Sequence, residues 1–247
     1  MPLLGKGVAA IWHNVAPDIQ PDYNHWHCSE HMLERVGIEG FLRGRRYDAI
    51  DGRPQFFNFY ETTTPAVLTS PAYMQRLNNP TPWTQRIGPH IKNNNRTLSQ
   101  VVHSVGCGVG AAILTIRMVA NHDREIDFFR WVSQELFPFI NKEPGVVAAH
   151  LLKGDKQASE TETEEKAMRE KPDEVTDWII FIEAIDDKTL LKILDKKYMS
   201  EKVLIEKKLS LKEKTFSYTH LRAHETKANL GCRRRVGKKK GGGGGGG

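Results

Sequence analysis

Apolar positions along this chain fall into short runs separated by polar, Gly- and Pro-bearing stretches. Val8–Val15 (VAAIWHNV), Phe41–Ile50, Gln55–Glu61 (QFFNFYE) and Arg96–Ser104 (RTLSQVVHS) have the length and the β-branched and aromatic content of strands. Between the first two, Tyr23–Val36 carries good helix formers with no internal Gly or Pro. Asp22, just after Pro21, is its candidate N-cap, Gly37 its C-cap and Gly40 the following turn. Asp51-Gly52 marks a hairpin. Ala66–Asn78 predicts a short helix interrupted near Pro71, and Asn78–Asn95 a Pro-rich loop around Trp83. The order is β-α-β-β-α-β, a split ferredoxin-like unit.

The pattern then recurs. Gly106–Gly110 (GCGVG) reads as a linker, because a strand follows where a phosphate loop would need a helix. Ala112–Val119 predicts a strand, Asp127–Asn141 a helix, Gly145–Lys153 and Asp177–Ala184 strands, Lys188–Tyr198 a helix, and a last strand is expected within Leu204–Phe216. Residues 154–174, dense in Lys and Glu, read as an exposed, solvated loop. A shift of 105 places Asp22 on Asp127, Trp26 on Trp131, Glu30 on Glu135 and Gly40 on Gly145, which points to internal duplication. The expected fold is α+β, with repeat one at 1–105, a linker at 106–110 and repeat two at 111–216.

The end of the chain changes the charge. Ser217–Thr226 (SYTHLRAHET) resembles a translated transposon-type sequencing adaptor, and the run to Gly247 resembles index and poly-G read-through. Residues 217–247 are therefore expected to be a disordered, non-native tail, with the native C-terminus missing. That tail holds eight of the 36 Lys/Arg and one of the 30 Asp/Glu, so the remainder carries a net charge near −1. The formal +6 then offers no argument for nucleic acid or an anionic membrane. Cys28 and Cys107 have no framework spacing, and no apolar run nears the roughly 20 residues of a membrane helix. No charged, apolar leader opens the chain, so a cytoplasmic location is expected.

Candidate chemistry concentrates in Asp22–Tyr47. His25, His27 and His31 fall within seven residues, and Arg45, Arg46 and Tyr47 close the stretch. On a helix His27, Glu30, His31 and Glu34 share one face, with Tyr23 a turn earlier and Trp26 and Leu33 beside it as anchors. Repeat two has Arg130, Val132 and Leu136 in place of the three histidines, and His150, Leu151 and Leu152 in place of Arg45, Arg46 and Tyr47. Function is expected in repeat one. His27 or His31 is the candidate base, Glu30 its orienting group, and Arg45, Arg46 or Tyr47 the holder of an enolate or carboxylate. Tyr23 and Trp12 would contribute to substrate binding, within walls of Trp12, Trp26, Phe57 and Phe59. Two readings stand beside this one. HCSEH matches an inverted zincin spacing, so His27 and His31 could ligate a metal; no downstream segment offers an obvious third ligand, and His13 or His25 could complete the site. Alternatively Glu30 with Arg35 or Arg45, and Glu34 with Arg46, could be structural ion pairs of a ligand-binding or stress-associated module without turnover.

The duplicated unit, with W-H-x-x-E-H-x-x-E-R at Trp26–Arg35 and G-F-L-R-x-R-R-Y at Gly40–Tyr47, resembles the dimeric α/β-barrel superfamily, closest to uncharacterised bacterial EthD-like proteins. The resemblance implies two ferredoxin-like units closing one barrel. It implies a small-molecule enzyme, such as a cofactor-independent monooxygenase or acid–base catalyst on an aromatic or enolisable substrate. No bound cofactor is expected, and a small-molecule ligand and a possible homodimer are the expected partners. Members of this superfamily differ in reaction, so fold alone does not fix function.

Overall fold

The computed structural model describes residues 3–51, 53–118, 124–194 and, as backbone, 219–227. Strands β1 (Gly7–Val15), β2 (Phe41–Asp51), β3 (Phe56–Thr62) and β4 (Ile91–Gly106) belong to repeat one. Strands β5 (Ala112–Met118), β6 (Val146–Gly154), β7 (Trp178–Ala184) and β8 (Thr219–Lys227) form the second set. All eight close a barrel in the order β1-β3-β2-β8-β5-β7-β6-β4. Each repeat keeps its own four-strand order, and the repeats join through β2–β8 and β4–β6, both antiparallel. The chain therefore has the dimeric α/β-barrel fold within one polypeptide.

β8 lies within the stretch set aside as a non-native tail, and over 219–227 the structure has a strand where disorder was expected. It pairs with β2 and β5; the last strand of repeat two was expected within residues 204–216, which lie outside the described residues. The facing edges of β2 and β5 present rows of unpaired N–H and C=O groups, and such rows accept an extended segment through its backbone whatever its side chains.

The helices pack outside the barrel. Repeat one carries α1 (Gln20–Trp26), a π-helical turn (His27–His31) and α2 (Met32–Val36), followed by α3 (Pro71–Leu77) and α4 (Pro82–Ile87). Repeat two carries α5 (Glu125–Trp131), a π-helical turn (Val132–Leu136) and α6 (Phe137–Ile140). The two π turns are 105 residues apart, as are the left-handed glycines Gly40 (φ 87°) and Gly145 (φ 90°). Duplication has thus copied backbone irregularities as well as regular elements. Asp22 does not cap α1, which starts earlier, at Gln20; its carboxylate instead accepts from Trp83 Nε1 and the Arg86 guanidinium on α4. α4 and the start of β4 occupy the expected Asn78–Asn95 loop.

Residues 154–174 are mostly exposed, as expected, but they are not an unstructured loop. They hold α7 (Lys156–Glu160) and α8 (Glu164–Ala167), each N-capped by a side chain, Asp155 and Thr163 respectively. The segment docks across repeat one. It is tied at its ends by Asp155 N to Leu98 O and by Glu174 to Asn94 and Arg96 through backbone bonds of 2.7–3.1 Å. α9 (Asp187–Leu194) completes the described helices.

Strand alternation sorts side chains between the barrel interior and the space beneath the helices. Val8, Ala10, Trp12, Tyr47, Phe57, Phe59, Ile179 and Phe181 point inward and form one aromatic-rich cluster. In repeat two the outward residues of β5, β6 and β7 meet α5, α6 and α9 in a wholly apolar core that includes Ile116, Met118, Val132, Leu136, Ile180 and Ile182.

Candidate functional site

Repeat one differs from repeat two in the layer between its helices and its sheet. The aligned strand and helix positions replace Met118 by His13, Val132 by His27, Leu136 by His31, Ile140 by Arg35, Ile180 by Asn58 and Ile182 by Tyr60. These six repeat-one residues line a single cavity with Tyr23, Trp26, Asn94, Arg96 and, from the docked segment, Glu165, Met168 and Arg169. Its open volume, mouth included, is about 620 Å³, of which about 50 Å³ admits the centre of a water molecule. That interior holds a few waters or a very small molecule. Anything larger needs side chains or the docked segment to move.

The π turn sets the helical side chains. It widens the helix by one residue between Trp26 and Met32, so that His27 turns inward while Cys28 and Ser29 stay exposed. His27 is 1% exposed, and neither ring nitrogen has a hydrogen-bond partner among the described residues. Its ring lies 5.6 Å from Tyr23 and 5.5 Å from His31, centroid to centroid. His13 Nε2 is 2.7 Å from the Tyr23 hydroxyl, and His13 Nδ1 has no partner among the described residues. The Tyr60 hydroxyl, also buried, has none either. Several hydrogen-bonding groups are thus removed from water and left pointing into one small space, which is expensive unless something uses them.

Burial is the largest influence on all three histidines, and nearby guanidinium groups add to it. His13 is brought down to about 3 by burial, then by Arg46 and Arg169. His27 lies well below its ordinary value through burial, Arg46, His13 and Arg35. His31 lies well below it through burial, Arg35 and His27. The three imidazoles are therefore neutral at pH 7, beside fixed positive charge. Burial pushes the Tyr23 and Tyr60 phenols up, so both stay protonated.

Of the residues expected from sequence, Tyr23, His27 and His31 meet in this cavity, with Trp26 as a wall. Glu30 is half-buried and accepts from Thr81 Oγ1 at 2.6 Å, so it anchors α4 and orients no histidine. Arg46 does not line the cavity; its buried guanidinium stacks on Tyr23 and Phe56 and is bonded to Asn24 at 2.6 Å and Asp48 at 3.1 Å. Trp12, Arg45 and Tyr47 point into the barrel with Phe57 and Phe59, on the opposite side of the sheet. They do not share the cavity, because residues one apart on a strand face opposite ways. Arg45 makes two hydrogen bonds to Glu183, at 2.9 and 2.7 Å, across the repeats. The proposed ion pairs are also reassigned: Glu34 pairs with Arg76 at 3.0 Å, and Arg35 with Glu165. Leu33 is 41% exposed and anchors nothing. Exposed His25 packs edge-on against Trp83, outside the cavity.

Sequence reasoning weighed His13 only as a third metal ligand, and missed Asn58, Tyr60, Asn94, Arg96 and the docked segment. His13, Asn58 and Tyr60 could have been found by extending the repeat alignment to the strands, where each faces an apolar partner in repeat two. For the metal reading, no group of three or more His, Cys, Asp or Glu side chains placed to hold an ion occurs among the described residues.

Fold and site together define a single-chain dimeric α/β barrel with one polar cavity under the helices of its first repeat. The chain is similar to a crystal structure of an anthrone oxidase-like protein, at 13% identity and a TM-score of 0.61, over 90% of this chain and 92% of that one. It is also similar to a putative monooxygenase of Fusobacterium nucleatum subsp. nucleatum (13% identity, TM-score 0.54, covering 91% and 97%). A putative monooxygenase of Lactobacillus acidophilus NCFM matches at 9% identity and TM-score 0.53, over 90% and 97%. At such identities the likeness shows the fold. No protein-family model and no curated protein matches the sequence. No described helix is long and apolar enough to cross a membrane.

Proposed function

We propose that this protein is a small-molecule enzyme that abstracts a proton from an enolisable aromatic substrate in the repeat-one cavity, without a bound cofactor. The observation that carries this reading is the contrast between repeats. Duplication gives two equivalent layers; one is filled by Met118, Val132, Leu136, Ile140, Ile180 and Ile182, the other by His13, His27, His31, Arg35, Asn58 and Tyr60. An apolar layer is the stable solution, so the buried polar set is retained for what it does.

His27 is the base. Its neutral imidazole is buried, and neither ring nitrogen is engaged by another described residue. Its depressed basicity is compatible with this role, since a carbanion or enolate forming beside the ring favours its protonated form. Arg35 and the Tyr60 hydroxyl are placed to stabilise that anion. With dioxygen as oxidant, the carbanion carbon would form a C–O bond while oxygen takes the electrons; loss of water from the hydroperoxide leaves a ketone. Both the anthrone oxidase-like and the putative monooxygenase neighbours bear names in keeping with such chemistry.

The test is oxygen uptake with anthrone and related enolisable aromatic ketones, using wild type and His27→Ala. Turnover lost in the variant supports the reading. A ligand that raises Tm without any turnover in the wild type would instead mark a binding module.

A further inference from the structure

The cavity is closed by a carboxylate brought from the other repeat. Glu165 lies on α8, 130 residues along the chain from its partner Arg35, and the two are only 7% and 2% exposed. Arg35 Nη2 also stands 3.5 Å from His31 Nδ1, and Arg35 Nη1 has no hydrogen-bond partner among the described residues. The guanidinium thus faces the histidines with one arm held by Glu165 and one arm free.

The segment that carries Glu165 is lightly held. Firm ties fix its two ends: at one, Leu98 O accepts from Asp155 N, Leu98 N donates to buried Ser159 Oγ at 2.8 Å and Ala158 packs on the repeat-one core; at the other, Glu174 bonds the backbone of Asn94 and Arg96. Between Ser159 and Glu174, the segment meets repeat one through Asn78 Oδ1 accepting from Glu164 N at 3.1 Å, Met168 over Gly88, an exposed Lys92–Glu170 pair, Arg169 in the cavity wall, and Glu165 itself. α8 is four residues long, so it has little stability of its own. A segment tied at both ends, with its middle resting on one buried ion pair, has the anatomy of a movable cap.

We infer that Arg35 is an anion subsite, occupied in the closed form by the protein's own Glu165, and that the aromatic substrates taken here carry, beside the enolisable carbon, an anionic group such as a carboxylate or phenolate, whose charge replaces that of Glu165 and frees the cap. The exchange swaps one carboxylate for another on the same guanidinium, so no charge is left buried and unpaired. The small closed interior is then explained, since ligand entry and cap release are one event. This inference rests on the cavity being the working site and adds the charge class of what enters.

An internal competitor lowers apparent affinity by the fraction of time it occupies the subsite. The probes are benzoate and its neutral isostere benzamide, with binding read by titration calorimetry on wild type, Glu165→Gln and Arg35→Met. The expected result is benzoate binding about tenfold or more tighter to Glu165→Gln than to wild type. Benzamide should bind both alike, and benzoate binding should be lost in Arg35→Met. A second readout needs no variant: in wild type, saturating benzoate should speed hydrogen exchange at amides 163–169, and benzamide should not. Benzoate affinity unchanged in Glu165→Gln, with equal exchange under both ligands, overturns the subsite and leaves the cavity as the site of chemistry. No binding of either compound by any of the three proteins overturns the subsite and the cavity together.

Discussion

Glu183→Gln should be among the most destabilising single changes in this chain. Glu183 and Arg45 are both fully buried. The carboxylate accepts two hydrogen bonds from Arg45 and one from Gly110 N at 2.8 Å, and His150 Nε2 stands 3.5 Å away. Burial alone would push this carboxyl up; the adjacent His150 ring and the hydrogen-bonded Arg45 guanidinium outweigh it and bring it from 4.5 to about 2. That drop corresponds to roughly 3 kcal/mol of stability at neutral pH. Removing the charge leaves Arg45 buried and uncompensated, which independently suggests about 3–5 kcal/mol. For a chain of this size the Tm would fall by roughly 6–20 °C. The sign with pH follows. A carboxyl lowered in the folded state contributes fully above 4.5 and loses its contribution as pH falls towards 2. Urea titrations of wild type and Glu183→Gln between pH 7 and 2.5 should therefore converge at the acid end. The double variant Arg45→Met/Glu183→Leu removes both charges and should lie far closer to wild type than the single variant. A loss under about 1 kcal/mol in Glu183→Gln, with an unchanged acid limb, would refute the coupling.

Other expectations follow from the same geometry. Gly40→Ala and Gly145→Ala place a Cβ within 2.6–2.7 Å of Val67 and Thr189 on a left-handed backbone, so each should cost about 1–3 kcal/mol in chemical denaturation. Tyr47→Phe removes a buried hydroxyl that has no partner among the described residues, inside the barrel and away from the cavity; stability should hold or rise by up to about 1 kcal/mol, and turnover should be unchanged. His27 and His31 are held below 6.5 when folded, so the unfolded chain takes up protons first; stability should decline as pH drops through 6.5, visible as a falling Tm. For the same reason kcat/KM should show no acid limb near pH 6.5.

Much of the architecture could be read from residues. Runs of strand-like composition, the shared Trp26/Trp131 and the paired Gly40/Gly145 carry the duplication, and these glycines do adopt φ above 80°. Helical spacing put Tyr23, His27, Glu30, His31 and Glu34 on one face; Tyr23, His27 and His31 do meet, whereas Glu30 and Glu34 turn to Thr81 and Arg76. Arg45 and Tyr47 were grouped with Arg46 because they are adjacent in sequence, although a pleated strand sends its neighbours to opposite faces. Residues 154–174 misled through composition, since their dense charge reads as solvation. Yet Glu165 and Asp173 are buried by pairing with Arg35 and Arg169, and no local pattern announces a partner 130 residues away. β8 shows the converse, an edge-filling strand whose backbone pairing depends little on side chains.

The central claim is that His27 removes a carbon-bound proton from an enolisable aromatic substrate. The direct measurement is exchange of the methylene hydrogens of anthrone for deuterium in D₂O, under anaerobic conditions, followed by NMR with wild type and His27→Ala. Wild type should accelerate exchange above the buffer rate, and the variant should lose about 10²–10⁴ of that acceleration while keeping its fold by circular dichroism. Equal acceleration by a folded His27→Ala protein, or none by wild type, would contradict the claim.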